Sequence, residues 1–262
     1  MKKNILLLTT LFLSFLIVNK SHANEDNCKN IIQQSWDKYR NITSEYEKAD
    51  ILILHDDDRK EEKEIVRWTL FDSFGNDKIL TKFIKPIRDN GLALLIWRNE
   101  NRGDDQWLKL PSMKQARRIS ISDESKYFAG TDITYEDSRQ LTGERVDDFS
   151  YRSLGNNTEY SIIEAEPKPG IESAYRKRII YINNSNYAIS KIEYFNSNNE
   201  ISKIQNHDKI IILETGAWRI DYLEIINFET KRKTIITITH RKINTDINSN
   251  VFSKFNLENQ SK

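Results

Sequence analysis

Two periodicities divide the chain. Between residues 24 and 46, Cys28, Ile31, Ile32, Ser35, Trp36 and Tyr39 recur at three- and four-residue steps, and Lys29, Gln33, Gln34, Asp37 and Lys38 lie opposite. That spacing predicts one amphipathic helix, capped by Asp26 or Asn27, with a single apolar stripe to bury. From Ala49 onward the pattern changes to short β-rich runs at 49–54, 64–71, 78–85, 92–97, 106–110, 159–165, 175–183, 187–195, 201–213, 217–228 and 233–243, with a further strand at 117–121. Turn chemistry separates them, as in Gly75-Asn76-Asp77, Asp89-Asn90-Gly91 and Thr215-Gly216. Short connections demand antiparallel neighbours, because parallel pairs need long crossovers. The last five runs read as one meander.

Alternation within the runs adds a second layer. Along 217–228, Trp218, Ile220, Tyr222, Ile226 and Phe228 share one face, while Arg219, Asp221, Leu223, Ile225 and Asn227 share the other. Both faces are partly apolar, more so than in a sheet with one solvated side. The expected fold is therefore mainly β: a large curved antiparallel sheet with an N-terminal helix and short segments covering its concave face. No internal repeat or linker interrupts residues 24–262, so a single domain is expected there.

The N-terminal 23 residues read as an address. Lys2 and Lys3 precede an apolar run from Ile5 to Val18, and Ser21-His22-Ala23 has small residues where a signal peptidase cuts. The run is too short for a spanning helix, which needs about 20 apolar residues. Cleavage after Ala23 removes three of 40 basic residues, leaving 37 against 39 acidic ones. Such a balance argues against nucleic acid and against bulk attraction to anionic membranes. Glu25-Asp26-Asn27 separate the apolar run from Cys28, which argues against lipidation of that cysteine. One cysteine also excludes an internal disulfide and multi-cysteine metal sites.

Other candidate chemistry is sparse. His55, His207 and His240 lie far apart in sequence, and His55-Asp56-Asp57-Asp58 reads as a solvated hairpin tip sooner than a cation site. Asp132, Glu136 and Asp137 resemble paired carboxylates for acid–base work, but no partner residue stands at a matching spacing. Arg117 and Arg118 offer them counter-ions, either pinning an irregular loop to the sheet or leaving charge for a partner. No phosphate-binding loop, nucleophile elbow or zinc-protease helix is present. Neither a catalytic residue nor a metal or cofactor is expected.

The stretch from Asp104 to Asp137 carries the most specific pattern. It contains Trp107-x-x-Leu110-Pro111, then Arg117-Arg118-Ile119, then Phe128-x-Gly130-x-Asp132-x-x-Tyr135-Glu136-Asp137. This pattern resembles bacterial outer-membrane lipoprotein-sorting proteins of the LolA-like superfamily, with Ala129-Gly130-Thr131 where Met-Gly-Ser is usual. The order of signal peptide, helix and long sheet is similar too. The resemblance implies a half-barrel with an apolar cavity and a monomeric periplasmic carrier of lipid or lipoprotein acyl chains that needs no cofactor. It also implies an inner-membrane lipid-exporting transporter as partner. A non-carrying adaptor for an envelope transporter or another protein is the alternative. On this reading Ile31, Ile32, Trp36 and Tyr39 form the cover, and Val66, Trp68, Leu70, Leu94 and Ile96 form cavity walls. The sequence leaves open which sheet face is concave.

Overall fold

The computed structural model describes residues 24–259 apart from 74, 101, 140 and 141; the expected signal peptide and its cleavage site at residues 1–23 lie outside these. Helix α1 runs from residue 24 to 39, shorter than the periodicity suggests, and Asp26 and Asn27 lie inside it and do not cap it. Strand β1 (Ser44–Leu54) follows almost at once. Its first half was hidden because Glu45 and Glu47, both almost wholly buried, do not read as inward-facing strand residues.

Thirteen antiparallel strands form one curled sheet. After β1 come β2 (Lys60–Leu70), β3 (Lys78–Lys85), β4 (Ala93–Trp97), β5 (Asp105–Lys109) and the two-residue β6 (Arg117–Arg118). The second wing comprises β7 (Phe149–Asn156), β8 (Tyr160–Pro167), β9 (Lys177–Asn183), β10 (Ile189–Phe195), β11 (Ile201–Ile212), β12 (Trp218–Asn227) and β13 (Arg232–Ile243). The spatial order is β6-β5-β4-β3-β2-β1-β13-β12-β11-β10-β9-β8-β7, so each wing is a meander and the first strand pairs with the last. β6 and β7 end the sheet without meeting, and it stays open.

The chain must travel from one edge to the other, and the described residues between 119 and 148 do so across the inner face. We term this stretch the crossing segment; it includes the short helix α2 (Tyr135–Arg139). Ile119, Phe128 and Tyr135 pack there against Ile51, Ile79, Phe83, Leu94, Ile96, Leu223 and Ile236. Helix α1 covers the other wing, its Cys28, Ile32 and Tyr39 packing on Ile163, Ile180, Ile189, Tyr194 and Trp218.

The outer face has its own cover. Residues 244–259, including the short helix α3 (Lys254–Glu258), fold back so that Phe252 and Leu257 pack on Leu80, Ala93 and Leu95. Trp68, Leu70, Trp97 and Trp107 surround that contact, and Trp97 Nε1 donates to the Phe252 carbonyl at 2.8 Å. Burying two such side chains fully is worth about 1.5–3 kcal/mol each. This cover explains why strands β2–β5 are apolar on both faces.

Candidate binding cavity

Between the sheet, α1 and the crossing segment lies a cavity with about 160 Å³ open to the centre of a water molecule. That is more than tenfold the ~10–15 Å³ one water requires. Ile51, Ile65 and Phe83 from the first wing and Leu223, Ile236 and Ile238 from the last two strands form one apolar wall. The crossing segment adds Phe128 and Ile133, and α1 adds Trp36 and Tyr39. The ring of Tyr39 lies 4.8 Å from that of Trp218, whose Nε1 donates to the Ser35 carbonyl at 2.9 Å. These contacts seat the C-terminal half of α1.

One end of the cavity is charged. Glu45 and Glu47 point inward from β1 toward Arg67, Arg219 and Arg241. Arg219 Nε lies 2.8 Å from Glu45 Oε1, and Arg241 Nη2 lies 2.7 Å from Glu47 Oε1. A bulge on β13 makes this possible. Ile238 pairs with Ala49 but His240 pairs with Lys48, so the register slips and Arg241 turns inward beside Glu47. His240 faces out and stacks near Tyr46. Burial raises the Glu45 carboxyl above the usual range, and the neighbouring Glu47 adds to the rise. Burial also works against the Glu47 anion, but Arg67 and Arg241 outweigh it and hold that carboxyl low. His207 lines the cavity too, and burial lowers its pKa to about 4 although its ring contacts the Ile189 carbonyl. It is neutral at pH 7.

The crossing segment is fastened by three acids. Asp132, fully buried, accepts from Arg232, Thr230, Thr234 and Asn227 at 2.7–3.0 Å. Glu136 accepts from Arg178 Nη2 at 2.6 Å, Ser173 Oγ at 2.8 Å and the Ala174 amide at 2.6 Å. Asp137 accepts from Lys203 Nζ at 2.6 Å and from the Tyr175 hydroxyl at 3.0 Å. Arg178 also pairs with Glu144, whose pKa burial raises despite that partner. Thr134 and Asp137 cap α2 reciprocally: each side chain accepts the other's amide. Ahead of it, Ala129 and Gly130 have φ of 56° and 75°; Gly130 tolerates this left-handed region at little cost, whereas Ala129 is held there by the surrounding turn. Gly143 (φ 115°) likewise needs that freedom where the chain passes the Trp36 ring.

Several sequence expectations are relocated. Val66, Trp68 and Leu70 do not wall the cavity: their β2 neighbours Ile65 and Arg67 line it, while Trp68 and Leu70 sit beneath the C-terminal cover. Both faces of β2 are covered, so alternation could not choose between them. Leu94 and Ile96 do face inward, under the crossing segment, though not on the cavity surface. Ile32, Trp36 and Tyr39 are on the packed side of α1, with Ile31 partly buried beside them. Trp107, Leu110 and Pro111 end β5; Trp107 stacks 4.6 Å from Trp97 on the outer face, and Leu110 packs against the inner cluster.

Arg117 and Arg118 are not the counter-ions of Asp132 and Glu136. Both are exposed, and Arg118 pairs with Asp105 on the adjacent strand. The true partners, Arg232, Arg178 and Lys203, come from distant strands of the second wing, which no local spacing announces. The three histidines go separate ways: His55 contacts Glu61 at 2.9 Å, His207 is buried, and His240 is on the outer face. Among the described residues no cluster of three His, Cys, Asp or Glu could hold a metal. Nor is any described helix long and apolar enough to cross a membrane. Cys28 is buried among core side chains, and burial raises its thiol pKa.

Solved structures share this architecture. A domain from Vibrio parahaemolyticus, whose name assigns it to outer membrane lipoprotein sorting, superposes with a TM-score of 0.83 at 21% identity, over 90% of this chain and 100% of that one. A DUF1329 family protein from Desulfovibrio piger gives 0.82 at 20% identity, over 89% and 99%. A LolA superfamily protein from Nitrosomonas europaea gives 0.64 at 18% identity, over 85% and 97%. No curated protein matches the sequence. A family model described as that of an uncharacterized protein matches residues 75–259. The chain belongs to that family and has the LolA-like fold of these structures.

Proposed function

We propose that this protein is a periplasmic carrier that shelters the acyl chains of a lipoprotein or lipid and moves them between envelope membranes, working with an inner-membrane lipid-exporting transporter. The observation that carries this reading is the inner cavity, walled by Ile51, Ile65, Phe83, Leu223 and Ile236 and closed by two covers of different character. An acyl chain gains about 0.8 kcal/mol for each methylene removed from water, so transit through an aqueous compartment requires such a wall. Trp36 and Tyr39 on α1 would touch the cargo, and Ile31 and Ile32 would hold the helix in place. Leu94 and Ile96 would support the wall from beneath the crossing segment. Likeness to the Vibrio and Nitrosomonas structures supports the fold that such carriage needs.

Purification without detergent, followed by mass spectrometry of the intact complex and of a solvent extract, tests this directly. The carrier retains lipid at a fixed stoichiometry, and an apolar fluorescent probe enters the emptied protein and is displaced by lipid. Protein that carries no lipid and takes up no probe is instead an adaptor whose sheet binds other proteins.

A further inference from the structure

The charged end of the cavity is unevenly satisfied. Arg241 is fully engaged, by Glu45, Glu47, Asp221 and the Ile220 carbonyl. Arg67 is not: it lines the cavity with its side chain only 16% exposed, yet among the described residues its one hydrogen bond goes from Nη2 to Glu47. Arg219 donates through Nε to Glu45 and through Nη1 to the Tyr39 and Trp218 carbonyls, while its buried Nη2 has no partner among the described residues. Two guanidinium groups beside one cavity thus hold unused donors. A buried charged donor without a partner is costly, so an acceptor that reaches it is favoured.

Three arginines face Glu45, Glu47 and Asp221, and burial disfavours the anionic form of Glu45. His207, on the same cavity, is neutral. Arg178 is already held by Glu136 and Glu144. Arg67 and Arg219 thus keep donors beside the cavity without a protein acceptor among the described residues, and an oxyanion supplies acceptors in the forked geometry that guanidinium favours.

We infer that the cavity takes its ligand by an anionic end: the carboxylate or phosphate head of a single-chain amphiphile seats against Arg67 and Arg219, and its hydrocarbon tail lies along the wall of Ile51, Ile65, Phe83, Leu223 and Ile236. The inference rests on the carrier reading and specifies its ligand class. A neutral ester leaves both guanidinium groups unpaired and binds less well, because sites built to satisfy a polar group discriminate against analogues that lack it.

The test measures displacement of an apolar fluorescent probe from the delipidated protein by hexadecanoate, methyl hexadecanoate, hexadecyl phosphate and inorganic phosphate, all below micelle-forming concentrations. The acid or the alkyl phosphate should bind on the order of tenfold to a hundredfold more tightly than the ester, as expected of a charge-assisted contact. Whichever of the two is tighter identifies a fatty acid or a phosphate-ended lipid as the source. Inorganic phosphate alone should leave the probe in place. In Arg67→Gln the preference over the ester should fall to about threefold or less, and Arg67→Lys should restore part of it. Equal binding of acid and ester by the unmodified protein overturns the inference and leaves the carrier reading standing, and that comparison decides even if a variant fails to fold. A preference that survives undiminished in Arg67→Gln also overturns it. Binding of neither probe nor ester removes both readings.

Discussion

The two covers of the cavity are attached by different physics. The crossing segment is tied to the second wing by buried ion pairs, Asp132–Arg232, Glu136–Arg178 and Asp137–Lys203, each acid also accepting further hydrogen bonds. Helix α1 is held mostly by apolar and ring contacts, Trp36 and Tyr39 against Trp218 and Cys28 and Ile32 against the strands behind them. Among the described residues its one ion pair to the crossing segment, Lys29–Asp147, is largely exposed. Parting a buried pair strands a charge at several kcal/mol, whereas an apolar helix leaving an apolar wall is compensated if an acyl chain replaces it. On our account the crossing segment is a fixed wall and α1 the movable one.

The sharpest way to break this contrast is to cut one of the ties. Glu136→Ala leaves Arg178 with Glu144 alone and strips the acceptor from Ser173 and the Ala174 amide. The expected cost is about 3–5 kcal/mol, read as a fall in denaturant midpoint at unchanged slope. A change below about 1 kcal/mol would mean that the ion pairs are ornamental and the covers equivalent.

A gentler comparison uses native-state hydrogen exchange. Amides of α1 should exchange through a local opening about 2 kcal/mol less costly than that exposing α2, and lipid should slow α1 selectively. Equal protection of both covers, up to global unfolding, would make α1 part of the scaffold.

The smallest effect is expected at Arg118. Its side chain is 61% exposed and pairs with Asp105, so Arg118→Glu should cost about 1 kcal/mol or less and leave ligand binding unchanged. A melting shift as large as that of Glu136→Ala would restore Arg118 as an anchor of the motif.

These contrasts also explain what the sequence could and could not reveal. The meander from β9 to β13, the amphipathic α1 and the irregularity of residues 130–137 were legible, because periodicity and turn residues are local, whereas the strand expected over 117–121 stops at Arg118. The capping pair Thr134 and Asp137 is equally local, a four-residue signature in the sequence itself. Strand β7 was missed because it is an edge strand, with Ser150 and Arg152 exposed and Gly155 breaking its apolar pattern. The inward face of β2 was illegible because the C-terminal cover, itself unremarked in the sequence, buries the outer face as well. The inward arginines were hidden for a third reason. A bulge reverses the parity of β13 between Ile238 and Arg241, and strand alternation read without it places His240 in Arg241's stead.

The central claim is that acyl chains occupy the inner face, against Ile51, Ile65, Phe83, Leu223 and Ile236 and beneath Trp36 and Tyr39. A fatty acid bearing a photoreactive diazirine midway along its chain tests it most directly, with the labelled residues located by peptide mass spectrometry. The account predicts adducts on those inner residues and on α1, suppressed by excess unlabelled lipid. Adducts confined to the outer residues around Trp68, Trp97 and Trp107, or labelling that excess lipid does not suppress, would contradict it.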